Sequence, residues 1–157
     1  MYESGEDYLE AILMIKNEKG IVHSVDVANK LGVSKPSVSR AMGILRDGGY
    51  LESNEGTELK LTRKGRSKAT SIYRRHRLLT DFIVEITGID AGQAERNACR
   101  VEHVIDSDVV NGIIAWMKKN STKTAGIPDV NLDDCYFDDD CHSDGNCEYC
   151  YAHETHA

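Results

Sequence analysis

The chain has 157 residues, 40% of them hydrophobic, with 19 Lys and Arg against 26 Asp and Glu and a net charge of −7. That length suits one domain or two small ones, and no apolar run nears the roughly 18 residues of a membrane span, which argues against a membrane partner. The polar, acidic start from Met1 to Asp7 lacks the apolar core of an export signal, so a cytoplasmic protein is expected.

Residues 6–18 read as a helix, with Tyr8, Leu9, Ile12, Leu13 and Ile15 apolar at near-helical spacing and Gly20 beyond the end. A second short helix over 24–31 ends before Gly32, which tolerates the positive φ of a helix end. Ser34 caps a third helix over 34–47, Pro36 fits its first turn, and Gly48-Gly49 stops it. The period then changes. Leu59 and Leu61 alternate with Glu58, Lys60 and Thr62, and Tyr50-Leu51 completes a short hairpin over 50–62. Thr62 caps a long helix from Arg63 to about Ile86, which Gly88 breaks. Asp90 and Gln93 have capping-box spacing for a helix to about Ile105. Ser107 opens a last helix to about Lys119, and from Ser121 the pattern dissolves into a polar, acidic segment.

Charge is unevenly spread. Residues 35–77 carry 11 basic and 4 acidic side chains, while residues 124–157 carry no Lys or Arg and 9 acidic ones. A basic middle suits a polyanion and an acidic tail attracts cations. Three helices followed by a hairpin describe a winged helix-turn-helix, whose second paired helix enters the major groove of DNA N-terminus first. Ser34, Lys35, Pro36, Ser37, Ser39 and Arg40 would then face double-stranded operator DNA, with Lys60, Arg63 and Lys64 supplied by the wing and the helix after it. A basic, merely solvated face is the plainer alternative. The turn Val27-Ala28 to Leu31-Gly32-Val33-Ser34 followed by a hairpin favours DNA binding.

A second set of residues has metal chemistry. Asp7 and Glu10 share a face of the first helix, Cys99, Glu102 and His103 are expected to share a face of a later one, and His76 lies on the long helix between them. Each has a plainer reading alone: acidic residues suit a helix N-terminus, His76 sits among arginines, and a helical Cys is often a small buried hydrophobe. Together, buried carboxylates and imidazoles without a cation would leave charge unpaired.

Glu6-Asp7-Tyr8-Leu9-Glu10, Arg75-His76-Arg77-Leu78-Leu79 and Ala94-Glu95-Arg96-Asn97-Ala98-Cys99-Arg100-Val101-Glu102-His103-Val104-Ile105 resemble, in order, motifs of the diphtheria-toxin-repressor and manganese-transport-regulator family. The resemblance covers about residues 3–120. It implies a mainly α protein: a winged-helix DNA-binding domain over 1–70, a helical dimerisation and metal-binding domain over 71–123, and a Cys/His-rich acidic tail over 124–157. It also implies a homodimeric repressor, not an enzyme, activated for operator binding by Fe(II) or Mn(II). Position by position, Asp7, Glu10, His76, Glu102 and His103 match ligands of the manganese branch. Cys99 falls where the iron branch has cysteine, and Asp7 where that branch has methionine, so the sequence is a hybrid of the two. A thiolate favours softer metals and carboxylates favour manganese. The chain also stops short of the SH3-like third domain that the iron branch often carries. A metal joining the first helix to the later one would restrict the two reading heads.

The tail adds Cys135, Cys141, His142, Cys147, Cys150 and His153, a second concentration of soft ligands. Cys147 and Cys150 form half of a zinc or iron–sulfur pattern, and a second metal site is expected there. The alternative is incidental cysteines in an acidic tail. For the whole chain the competing function is a winged-helix regulator that answers to thiol oxidation.

Overall fold

The computed structural model describes residues 5–53 and 56–121. Among them are six helices: α1 Gly5–Lys19, α2 Ser24–Leu31, α3 Lys35–Asp47, α4 Arg63–Thr87, α5 Ala91–Val101 and α6 Ser107–Asn120. The tail residues Cys135, Cys141, His142, Cys147, Cys150 and His153 lie outside the described residues.

The first three helices form where local signals agree. In α1, Glu6 and Asp7 in the first turn and Lys16 and Lys19 in the last complement the helix dipole. Gly20 then turns at φ 78. Gly32 ends α2 at φ 67 and donates its N–H to Ala28 O. Ser34 Oγ accepts from Ser37 N at 3.3 Å to start α3. Leu9, Ile12, Val22, Val27, Val38, Met42 and Leu51 are at most 2% exposed and form one core. Fully burying such a side chain contributes about 1.5–3 kcal/mol.

The hairpin expected over 50–62 is present as two paired arms. Leu51 and Leu61 make an antiparallel bridge. Glu52 N donates to Lys60 O at 2.9 Å and Thr62 N to Tyr50 O at 3.0 Å. No regular strand forms among the described residues. A third arm joins at His23, bridged to Glu58, with Leu59 N donating to Val22 O at 2.8 Å. His23 is extended (φ −119, ψ 156) as the N-cap of α2, and because its own N–H is taken by Asp26 Oδ2 the pairing runs through the Val22 carbonyl.

Helix α4 links two cores. Its 25 residues extend about 37 Å at 1.5 Å per residue. Thr62 Oγ1 caps it by accepting from Gly65 N at 3.0 Å. Ala69 and Ile72 pack on the winged-helix core, whereas Leu78 and Leu79 pack with Ala98, Val110, Ile113, Ile114 and Met117 in a second one. His76 lies in the gap between them.

Asp90 caps α5 as expected, accepting from Gln93 N at 3.0 Å. That helix ends at Val101, four residues before the expected Ile105. Val104 N already turns back to Val101 O, a tighter bond than the helical one, and Asp106 is extended (φ −71, ψ 147) to start α6. A helix running to Ile105 would leave no room for that reversal. Glu102 and His103 therefore sit in a turn and not on a regular helical face.

Candidate metal centre

Three elements converge where the two cores meet. Helix α1 brings Asp7 and Glu10, α4 brings His76, and the turn after α5 brings Glu102 and His103. Arg75 Nη1 donates to the Glu102 backbone O at 3.1 Å and holds that turn against α4. Glu102 is only 1% exposed and stands in the middle. Its Oε2 accepts from His76 Nδ1 at 2.9 Å, while its Oε1 lies 3.3 Å from His103 Nε2. His103 Nε2 is 2.6 Å from Asp7 Oδ1, and His76 Nδ1 is 3.9 Å from Glu10 Oε1. Ligand atoms of Asp7, Glu102 and His103 lie within 4.8 Å of one another, as do those of Glu10, His76 and Glu102. Glu102 thus joins two donor groups into one cluster.

This arrangement fits a divalent cation. Glu10 Oε1, Glu102 Oε1 and His103 Nε2 are buried and make no well-directed hydrogen bond. Buried polar atoms without partners are costly, and Glu102 shares one donor group with Glu10 and the other with His103. Burial pushes the Glu10 carboxyl up to about 7, and the neighbouring Glu102 carboxylate adds to the effect. Burial also opposes protonation of His76 and His103. Their carboxylate neighbours outweigh it, Glu102 and Glu10 for His76 and Glu6, Asp7 and Glu102 for His103, so both histidines are held above their ordinary value. Three carboxylates and two imidazoles at this spacing offer a cation what protons supply incompletely.

Of the six expected ligands, five are brought together and Cys99 is not. Its side chain is exposed and belongs to neither donor group. Sequence reasoning missed three neighbours of the cluster. Glu6 accepts from His103 Nδ1 at 2.9 Å, Lys68 pairs with Glu6 at 2.6 Å, and Glu95 lies 3.8 Å from His76 Nε2. Glu6 and His103 are 97 residues apart, a pairing that no spacing rule reveals.

The basic face has its own geometry. Val38, Met42 and Leu45 turn inward on α3, leaving Lys35, Pro36, Ser37, Ser39 and Arg40 exposed. Ser34 is exposed too, but its hydroxyl is engaged with Ser37 Oγ at 2.9 Å. Ile44, one turn beyond Arg40, is 66% exposed. Arg63 is exposed, and Lys60 pairs with Glu58 at 3.4 Å. Lys64 is turned back: its ammonium donates to Gly48 O at 3.0 Å and lies 4.5 Å from the Tyr50 ring centre. It braces α4 against the end of α3. On the far side, Phe82, Ile86, Val109, Gly112, Ile113 and Trp116 line an apolar groove of about 450 Å³ between α4 and α6. Among the described residues no helix is long and apolar enough to cross a membrane.

Fold and cluster together define a winged-helix DNA-binding protein with a carboxylate–imidazole centre at the junction of its two helical units. Residues 1–56 match the N-terminal DNA binding domain of the iron dependent repressors, and residues 62–131 match their metal binding and dimerisation domain. The chain is 28% identical over 134 residues to the diphtheria toxin repressor of Corynebacterium diphtheriae, covering 85% of this chain and 59% of that protein. It is 30% identical over 124 residues to an uncharacterized HTH-type transcriptional regulator of Methanocaldococcus jannaschii, covering 78% of this chain and 99% of that one. A manganese-dependent transcriptional repressor solved in complex with manganese superposes with a TM-score of 0.68 at 26% identity, covering 74% of this chain and 54% of that one. This chain belongs to the iron-dependent repressor family. It spans less than two thirds of the length of the diphtheria toxin repressor.

Proposed function

We propose that this protein is a metal-dependent transcriptional repressor of metal-ion homeostasis, binding double-stranded operator DNA as a homodimer when loaded with Mn(II) or Fe(II). What carries this reading is the set of three buried, unsatisfied atoms shared between α1 of the DNA-binding unit and the turn after α5. Asp7, Glu10, His76, Glu102 and His103 would hold the ion. Its positive charge, when bound, offsets the mutual repulsion of Asp7, Glu10 and Glu102. The chain's own residues then do the coupling: α1 carries Asp7 and Glu10 beside α2 and α3, so fixing α1 against the 102–105 turn fixes the attitude of α3. A coupling of about 1–3 kcal/mol suffices for a useful switch.

The oxygen and nitrogen donors favour manganese or iron over softer metals. The manganese complex of a structural relative supports the same choice. Ser34, Lys35, Pro36, Ser37, Ser39, Arg40, Lys60 and Arg63 are the proposed DNA face, with Lys64 shaping it from behind. The groove of Phe82, Ile86, Val109, Gly112, Ile113 and Trp116 is the proposed seam between two copies, which supports the homodimer. Family membership supports metal response and gives no support to the thiol-oxidation alternative. On the sequence alone, Cys135, Cys141, His142, Cys147, Cys150 and His153 form a second zinc or iron–sulfur site, checked by the metal content of the full chain against a Cys147→Ser, Cys150→Ser variant.

Operator binding measured with Mn(II), Fe(II), Zn(II) and no metal tests the main reading. Binding should tighten with Mn(II) or Fe(II), and Glu102→Ala should lose that response. A Glu102→Ala variant that still answers to metal refutes it.

A further inference from the structure

Glu6 adjoins Asp7 but addresses the opposite side of the same imidazole. Its Oε2 accepts from His103 Nδ1 at 2.9 Å, and its Oε1 takes the Lys68 ammonium at 2.6 Å. His103 Nε2 points into the cluster, 2.6 Å from Asp7 Oδ1 and 3.3 Å from Glu102 Oε1. The two nitrogens of an imidazole diverge, so an ion on Nε2 leaves Glu6 behind the ring and outside the ligand set. We propose that Glu6, locked in place by Lys68, is the positioning residue of the metal centre: it holds the His103 proton on Nδ1 and turns the Nε2 lone pair toward the ligands. This inference rests on the metal-dependent reading above.

The geometry separates this role from that of an ordinary surface ion pair. Exposed Lys–Glu pairs contribute little. Here the Lys68 and Glu6 side chains are 19% and 31% exposed, and both carboxylate oxygens are used, one on each partner. Lys68 fixes which way the carboxylate faces, and the carboxylate fixes the imidazole. A carboxylate on the second nitrogen of a ligating histidine sets its tautomer and raises its basicity as a ligand. Three separate elements meet in this chain of contacts: Glu6 on α1, Lys68 on α4 next to the wing, and His103 in the 102–105 turn. A histidine posed in this way is correctly aimed only when α1, α4 and the turn are docked together. The clamp therefore ties ligand geometry to the disposition of the DNA-binding unit.

Two measurements on the full-length protein test the proposal. The first is Mn(II) affinity, read from free Mn(II) by electron paramagnetic resonance. Glu6→Ala should weaken it by about 10- to 100-fold, the cost of losing such a partner. Glu6→Gln keeps a carbonyl acceptor for Nδ1–H and should recover part of the loss. Lys68→Met should fall between wild type and Glu6→Ala. The second is imidazole ¹⁵N NMR of the wild-type protein loaded with diamagnetic Zn(II). It should show His103 metal-bound at Nε2 with the proton on Nδ1. Metal on Nδ1, or Glu6→Ala binding Mn(II) as tightly as wild type, overturns the clamp and leaves the metal-dependent reading intact. A wild-type protein that takes up no metal overturns both. Should Glu6→Ala fail to fold, Glu6→Gln and the wild-type spectrum still decide.

Discussion

Among the described residues, Glu10 sits in an environment that strongly disfavours its charge. It is 7% exposed, faces Glu102 and has its carboxyl pushed up to about 7. The folded chain therefore holds a proton on Glu10 that the unfolded chain releases near 4.5, and it holds protons on His76 and His103 above the 6.5 at which the unfolded chain lets them go. All three shifts have one sign. Stability of the metal-free protein should fall as pH rises, between 4.5 and about 7 through Glu10 and above 6.5 through the histidines. Glu6 is shifted the other way: burial raises it, but Lys68 and His103 hold it lower, so its loss comes only as pH falls below the ordinary 4.5. Metal affinity should rise over the same neutral range, because the ligands must shed those protons first. Thermal melts with and without Mn(II) from pH 5 to 8 should diverge; parallel curves would remove the cluster as the binding site. Cys99 gives a second prediction. Since it lies outside the gathered donors, Cys99→Ser should leave Mn(II)-dependent DNA binding within about threefold of wild type, a change under 1 kcal/mol. A Co(II) complex with a thiolate charge-transfer band that Cys99→Ser abolishes would bring the thiol in. The gathering of Asp7, Glu10, His76, Glu102 and His103 was legible because carboxylate and imidazole spacing tolerates the earlier end of α5. Cys99 lies outside both gathered donor groups, exposed on the last turn of α5. Glu6 and Lys68 were invisible as a pair because their meeting depends on tertiary docking.

At the scale of elements, α3 is the proposed reading helix. Its exposed face sets Arg40 one turn before Ile44, an apolar side chain left 66% exposed. Arginine reads guanine by its O6 and N7, and an apolar side chain reads the thymine methyl. Arg40→Ala should cost about 1–3 kcal/mol at one guanine position of the operator and relax preference there. Binding to a set of single-base operator variants checks it; uniform weakening across the set would make Arg40 a phosphate contact instead. The start of α4 gives a stability prediction. A Cβ added at Gly65 would run into the carbonyl oxygen of Tyr50, which is backbone and cannot swing aside. Gly65→Ala should therefore destabilise by about 1–3 kcal/mol, the usual range for overpacking, despite alanine's better helix propensity, and lower the melting temperature. The helices were readable because caps, glycines and apolar periodicity agreed at Ser34, Thr62, Gly88 and Asp90. The third arm at His23 was not, because the alternation that marks the hairpin arms carries no sign of a partner 35 residues upstream.

Across the whole molecule, one long helix ties the carboxylate–imidazole cluster at its middle to the wing at one end and the apolar groove at the other. All five proposed ligands come from one chain, so the proposed metal site should form independently of the proposed seam. Trp116 is 40% exposed at the groove and meets the Phe82 ring edge-on, with ring centres 5.6 Å apart. A charge there would be desolvated between two copies without a partner. Trp116→Glu should yield a monomer in sedimentation velocity and bind Mn(II) with unchanged affinity. Operator affinity should nevertheless drop by about 100-fold or more, because the second reading head loses the high local concentration that the first confers. The salt dependence should also change. Each phosphate contact contributes close to −0.9 to the slope of log affinity against log salt, so a monomer holding half the contacts should show about half the slope of the wild-type dimer. A Trp116→Glu protein that stays dimeric moves the seam elsewhere. One that is monomeric yet keeps the full slope would mean that a single winged helix makes all the phosphate contacts, leaving nothing for metal-set spacing of two heads to control.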